Sequence, residues 1–172
     1  PQVMERLQAG GIAADVGFDL GHLILGGDHL GPNPWKDQPA KIAMDRACEM
    51  VAAYSAVGFK KLHLDASMPC ADDPIPLPDT TIAERATRLA AVAERNVAGE
   101  LPVYVIGTEV PVPGGALEVV EHLQVTAANA AREVVAIHKA AFVRAGIGSA
   151  FDRVVGLVVQ PAGCGGAGVL GL

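Results

Sequence analysis

Acidic side chains recur in this sequence directly after short apolar runs, where they could take part in acid–base or metal chemistry. Asp28 follows the first run, Asp65 the second and Glu109 the third. His29 stands beside Asp28, so that this point of the chain offers both an imidazole and a carboxylate, two ligand types that zinc accepts. Asp28, Asp65 and Glu109 are therefore candidate catalytic residues. His29 is a candidate metal ligand.

The other histidines offer less to such a site. Zinc takes three or four protein ligands, and the sequence places no second histidine at an obviously suitable position. His63 shares one face of a predicted strand with Asp65, but a histidine on a strand is more often a hydrogen-bonded core residue than a ligand. His22, His122 and His138 lie at a strand start or in helical stretches, which favours structural or solvated roles.

Strand-like and helix-like segments alternate along the chain and must position these residues. Strands are predicted at residues 22–27, 60–66, 102–108 and 154–160, and helices that follow the first three begin near residues 39, 81 and 126. This alternation indicates an α/β fold of parallel strands joined by right-handed crossovers. Periodicity alone leaves both a doubly wound sheet and a barrel open.

The carboxyl ends of parallel strands carry the active site in such folds, so the three acids are expected at one edge of the sheet. Gln160 occupies the same place on the fourth strand. Converging carboxylates repel one another unless protons or a cation intervene, and a metal or a phosphosugar with cationic partners would supply that charge. Asp28 and Asp65 have an equal alternative as caps of the loop amides that follow them.

Composition excludes several classes of function. The 172 residues carry a net charge of −6 with scattered lysine and arginine, which argues against nucleic-acid binding. No apolar run approaches the roughly 20 residues of a membrane-spanning helix, and from the first residues of this sequence we expect no signal peptide. Three widely spaced cysteines indicate reduced thiols, and the expected location is the cytoplasm.

Long segments of the chain are recognisable by their residues. They are LGGDHLGPNPW at 25–35, HLDASM at 63–68 with CADDP at 70–74, and YVIGTEVPVPGG at 104–115. In residue type, order and spacing they resemble the accessory, GatZ/KbaZ-type subunit of class II D-tagatose-1,6-bisphosphate aldolase. The likeness runs from about residue 18 to Pro161.

The resemblance implies a TIM-barrel fold and a role in galactitol or N-acetylgalactosamine catabolism. Members of this family are understood to support a separate catalytic aldolase subunit. The resemblance therefore implies such a subunit as the partner and a phosphosugar as a possible ligand. The family has also been labelled a tagatose-6-phosphate kinase, but the sequence contains no GxxxxGK[ST] phosphate loop.

The family is more remotely similar to the catalytic class II aldolases. In those enzymes an Asp-His pair after a strand supplies an acid–base carboxylate and a zinc ligand, roles that the likeness carries onto Asp28 and His29. Zinc is therefore a possible cofactor. Their two later metal histidines have no counterpart here, where the fourth strand ends in Gln160-Pro161.

A complete barrel takes about 250 residues, so only part of one is expected here. We predict a partial (β/α) barrel of about four strands over residues 1–161 and an irregular glycine-rich tail over residues 162–172. Three hypotheses remain open: an accessory subunit, a metal-dependent phosphosugar aldolase in its own right, or a truncated fragment without independent function. The single well-placed histidine favours the accessory subunit.

Overall fold

A five-stranded sheet with helices packed against it forms the structure, which is a computed structural model and describes residues 10–107, 126–159 and 168–172. The strands are β1 (Gly26–Leu30), β2 (Lys61–Leu64), β3 (Val103–Gly107), β4 (Val154–Val159) and β5 (Gly168–Gly171). The helices are α1 (Ala40–Ala56), α2 (Asp79–Asn96), α3 (Ala128–Arg144) and α4 (Gly148–Phe151). Residues 10–15 are also helical, and short 3-10 turns occupy Leu20–His22 and Asn33–Trp35.

The strands lie side by side in the order in which they occur along the chain. Strands β1 to β4 are parallel, and each pairs with the next. A doubly wound sheet reverses its strand order at a switch point, whereas a barrel keeps the order of the chain. The parallel α/β fold predicted from the sequence is confirmed, and the strand order agrees with part of a barrel.

Alternation along β2 and β3 divides the side chains between two faces. The fully buried side chains Leu62, Leu64 and Ile106 belong to the apolar core that the helices complete. His63 lies between the two leucines and pairs in register with Val105, so both occupy the opposite face. This is the division that the alternating residues of β2 predict.

The core itself comes mainly from one face of each helix. Helix α1 begins directly after Pro39, and Gly58, at a φ of 81°, follows its last turn. The residues of α2 that join the core recur at helical spacing; they are Ile82, Ala86, Leu89, Ala90 and Ala93. None of the described helices is long and apolar enough to cross a membrane.

The first strand lies further along the chain than the sequence indicates. Residues 22–27 form the predicted strand, but β1 runs over Gly26–Leu30, and Ile24, at 69% exposure, lies outside the core. The apolar run was a misleading signal because the hydrogen-bonded register with β2 begins only at Gly26, opposite Lys61. Asp28 therefore lies inside β1 rather than at its end.

Part of the glycine-rich tail also differs from expectation. The sequence shows no strand periodicity there, yet Gly168–Gly171 forms β5, which pairs antiparallel to β4 from Val159 to Gly156. Backbone hydrogen bonds to a neighbouring strand do not depend on side-chain pattern, so a strand this short leaves little trace in the sequence. Residues 162–167 lie outside the described ranges.

Candidate functional site

A β-bulge in β1 exposes two neighbouring polar side chains of the described chain. Gly27 pairs with Leu62 and Leu30 pairs with Leu64, so β1 uses one more residue than β2 over the same stretch. Such a bulge interrupts the strict alternation of side chains. Asp28 and His29 are consequently both exposed, between the buried Gly27 and Leu30.

The bulge also explains the backbone of His29. Its φ of 51° lies in the left-handed region, and it is the one non-glycine residue with positive φ among those described. A side chain other than glycine is disfavoured there, so the conformation is held by the register on either side of it. The result is an imidazole projected beside the carboxylate of its own neighbour.

His63 completes the contact from the adjacent strand. Its Nδ1 lies 2.7 Å from Asp28 Oδ1, and the His29 and His63 rings are 4.9 Å apart between centroids. The sequence indicated no second histidine suited to a metal site, and the structure corrects that inference. The available signal was that His63 shares a strand face with Asp65, but its contact with Asp28 depends on the pairing of strands 35 residues apart.

Asp65 contacts one ring nitrogen of His29, and Asp28 lies near the other. Its Oδ2 is 3.2 Å from His29 Nδ1, and its Oδ1 accepts a hydrogen bond of 2.7 Å from Ser67 Oγ. An ionised carboxylate only accepts, so His29 donates from Nδ1 and keeps the lone pair of Nε2 available. That Nε2 is 3.7 Å from Asp28 Oδ2.

Gly31 allows the two strand ends to approach this closely. A Cβ atom at residue 31 would overlap the carbonyl oxygen of Asp65. The backbone N–H of Asp65 donates to the carbonyl oxygen of Leu30 at 3.1 Å, and this hydrogen bond also holds the ends of β1 and β2 together. The loop after β2 is thereby held against the end of β1.

Asp28 remains ionised in this setting. Partial burial by itself would raise the pKa of the Asp28 carboxyl, but the hydrogen bond from His63 and the electrostatic effect of the neighbouring His63, His29 and Lys61 side chains together hold this pKa below its ordinary value. The carboxylate is exposed, at 62% of its side-chain area. It is therefore an anionic acceptor that faces solvent at neutral pH.

We name Asp28, His29, His63 and Asp65 the carboxyl-edge cluster, because Asp65 follows the last residue of β2 and the others lie near the same edge. Three of them, Asp28, His29 and His63, each offer a ligand atom, and these atoms lie within 4.8 Å of one another. Glu109, the third predicted acid, lies outside the described residues, as does Gln160.

Comparison with known proteins assigns the chain to a family. A profile described as D-tagatose-1,6-bisphosphate aldolase subunit GatZ/KbaZ-like matches residues 5–164. The chain belongs to this GatZ/KbaZ-like family. The resemblance carried by the segments around Asp28, Asp65 and Glu109 is thereby confirmed.

Two Klebsiella proteins are similar to the chain over most of its length. The D-tagatose-1,6-bisphosphate aldolase subunits GatZ of Klebsiella pneumoniae subsp. pneumoniae and Klebsiella oxytoca are each 50% identical to the chain over 153 residues. The match covers 87% of this chain and 36% of each relative. The chain thus spans about a third of the length of these relatives.

A solved structure of a related protein has the same fold over most of this chain. The crystal structure of a probable tagatose 6 phosphate kinase from Sinorhizobium meliloti 1021 superposes with a TM-score of 0.76 at 55% sequence identity. The superposition covers 88% of this chain and 35% of that one. The fold described above therefore recurs in a chain of closely related sequence.

Proposed function

We propose that this chain is part of an accessory subunit of class II D-tagatose-1,6-bisphosphate aldolase, which acts with a separate catalytic subunit in galactitol or N-acetylgalactosamine catabolism. The observation that carries the proposal is the 50% identity over 153 residues to two proteins named as GatZ subunits of this aldolase. Because the match covers 87% of the chain, it includes β1, β2 and the loops that follow them.

The position of the carboxyl-edge cluster supports a ligand-binding role within such a subunit. Parallel α/β folds bind their ligands at the carboxyl ends of the strands, which is where Asp28 and His63 face one another. We assign Asp28 as a residue that contacts the ligand, because its carboxylate is ionised and exposed. Asp65 is a positioning residue, since His29 and Ser67 occupy its carboxylate oxygens. Glu109 is retained as a candidate on its sequence position.

The kinase name of the solved relative is a less suitable guide to this chain. Transfer of a phosphoryl group from ATP relies on elements that cradle the phosphates and hold magnesium ions. The sequence contains no GxxxxGK[ST] loop for that purpose. The aldolase and kinase names of these relatives nevertheless both refer to a phosphorylated tagatose, which agrees with a phosphosugar as the ligand class.

Reconstitution with a catalytic class II tagatose-bisphosphate aldolase subunit tests the proposal. The purified protein is added to the catalytic subunit, and the initial rate of aldol cleavage and the half-life of activity on warming are measured. We expect both to increase up to a fixed molar ratio, with no cleavage by the protein alone. An unrelated protein at equal mass is the control.

Two results would contradict the accessory role. One is robust cleavage by the protein alone that disappears in His29→Ala, which would make it an aldolase in its own right. The other is ATP-dependent phosphorylation of tagatose 6-phosphate with no effect on the catalytic subunit. Saturable rate enhancement without either activity supports the proposal.

A further inference from the structure

We propose that Asp28, His29 and His63 form a binding site for one zinc-class divalent metal ion. The inference depends on the side chains of the carboxyl-edge cluster alone and is independent of the accessory role proposed above. It assigns to His63 a role that its sequence position did not suggest.

The separations within the cluster suit a shared ion. Zinc bonds to nitrogen and oxygen are about 2.0–2.1 Å long, so neighbouring ligand atoms of a tetrahedral site lie about 3.3 Å apart. Asp28 Oδ1 and His63 Nδ1 are 2.7 Å apart, and His29 Nε2 is 3.7 Å from Asp28 Oδ2. These values fall on either side of the required one, so small side-chain rotations would accommodate the ion, and its binding would release to solvent the proton that His63 Nδ1 shares with Asp28.

The orientation of His29 is the strongest single argument. A metal-bound histidine usually donates its other ring N–H to a carboxylate, a backbone carbonyl oxygen or water, which fixes the tautomer and the direction of the ring. Asp65 accepts from His29 Nδ1 in this way and is itself held by Ser67. The free Nε2 is thereby directed to the side where Asp28 lies.

A surface histidine–aspartate pair elsewhere in the chain lacks this support. His22 Nδ1 is 3.8 Å from Asp19 Oδ2, with side-chain exposures of 78% and 72%. The second carboxylate oxygen, Asp19 Oδ1, accepts from the backbone N–H of Gly21 at 2.8 Å, which caps a 3-10 turn. This pair therefore provides a matched comparison for experiments.

The kinds of ligand atom favour one class of metal. Two imidazoles with one carboxylate suit zinc and other first-row transition ions, whereas magnesium and calcium prefer sets made only of oxygen atoms. Three protein ligands leave one tetrahedral position open, as catalytic zinc sites do. Exposure of Asp28 and His29, at 62% and 69% of their side chains, gives an external ligand access to that position.

Titration of the chelator-treated protein with zinc chloride tests the site by calorimetry. Cobalt(II) serves as a second probe, because a four-coordinate complex with nitrogen ligands gives a visible absorption band. We expect one zinc ion per chain. We also expect His29→Asn and His63→Ala each to weaken binding by more than the roughly 10–100-fold typical of losing a partner outside the coordination shell.

Two further variants distinguish this site from general binding to surface histidines. Asp65→Asn keeps a hydrogen-bond acceptor but loses the charge, and its affinity should fall by about 10–100-fold. His22→Ala should leave the affinity unchanged. Circular dichroism checks folding, and if His63→Ala does not fold, the exposed position of His29 makes His29→Asn the deciding variant.

The proposal is overturned if the wild-type protein takes up no zinc at micromolar concentration, or if His29→Asn binds zinc as tightly as the wild type. It is also overturned if His22→Ala reduces affinity as much as His29→Asn does. Because metal uptake is measured without a catalytic subunit, these outcomes are distinct from failure of the reconstitution experiment.

Discussion

Two polar clusters lie at opposite ends of the same sheet and differ in how completely their charges are paired. The carboxyl-edge cluster lies where β1 and β2 end. At the starts of β3 and β4, Tyr104, Glu94 and Arg153 form what we call the amino-edge network. The hydroxyl of Tyr104 donates to Glu94 Oε1 at 2.6 Å, and the Arg153 guanidinium contacts the same oxygen in a short ion pair. Arg153 Nε also donates to the Pro102 carbonyl oxygen at 3.1 Å.

The amino-edge network leaves little for an external ligand to bind. Tyr104 is fully buried, and the side chains of Glu94 and Arg153 are only 18% and 22% exposed. Burial, reinforced by the neighbouring Glu94 carboxylate, raises the pKa of Tyr104 far above its ordinary value, so its hydroxyl stays protonated. In the carboxyl-edge cluster, by contrast, Asp28 and His29 keep exposed lone pairs. The charges of the amino edge are thus paired within the protein, whereas the carboxyl edge keeps exposed polar atoms, on which the binding role proposed above depends.

Arg153→Met gives the largest predicted effect on stability. The substitution keeps the aliphatic packing but leaves Glu94 partly buried without its cationic partner. We expect a loss of about 2–3 kcal/mol in the free energy of unfolding, the scale of a charged hydrogen bond. Urea denaturation measures it. Lys60→Met, which breaks the exposed pair with Glu100, is the control and should have little effect.

Zinc affinity shows whether the two edges are independent. Arg153→Met should bind zinc as tightly as the wild type, provided that it is assayed where it is folded. A simultaneous loss of stability and zinc affinity in this variant would mean that the two clusters do not have separate roles.

Gly31→Ala should damage the carboxyl edge through the backbone. The added Cβ overlaps the Asp65 carbonyl oxygen, so the loop after β2 must shift and carry the Asp65 carboxylate away from His29. We expect a loss of about 1–3 kcal/mol, typical of overpacking, together with weaker zinc binding. Gly26→Ala is a matched control, because its Cβ would meet only ordinary contacts with Lys61, at 3.5 Å or more. Equal behaviour of the two variants would contradict the role given to Gly31.

A buried histidine in the helix layer provides a smaller test, by pH. His138 is 1% exposed, and burial lowers its pKa despite the opposing hydrogen bond to the Val134 carbonyl oxygen and the charge of Asp79. Below about pH 6.5, the ordinary pKa of histidine, the unfolded chain takes up a proton that the folded chain excludes. Stability should therefore fall with decreasing pH, by at most about 1.4 kcal/mol per unit for this residue.

The pH dependence of the unfolding free energy also distinguishes the effect of His138 from that of histidines that are exposed in both the folded and the unfolded chain. His138→Gln should flatten the pH dependence of the unfolding free energy between pH 7 and 5, whereas His22→Gln should leave its slope unchanged. The measurement is urea unfolding at a series of pH values. An unchanged slope in His138→Gln would show that other groups cause the acid sensitivity.

The sequence predicted much of this fold because its signals are local. Alternation in β2 placed Leu62 and Leu64 in the core, and Pro39 and Gly58 marked the limits of α1 within a residue or two. The contact of His63 with Asp28 was not predictable in the same way. It depends on the register between two strands and on a bulge, and neither is encoded by the periodicity of a single segment.

The most direct test of the central claim replaces the strained residue of the carboxyl-edge cluster. His29→Gly removes a ligand and relieves a left-handed conformation that costs about 1–2 kcal/mol in other residues, against about 0.5–1 kcal/mol for the greater freedom of unfolded glycine. Urea unfolding without metal should therefore show equal or higher stability in the variant. With zinc at 100 times its Kd, the wild type should gain about 2.7 kcal/mol and the variant should gain none. The claim that this edge is built for binding would be contradicted if the variant were less stable than the wild type without metal and if zinc raised its free energy of unfolding as much as that of the wild type.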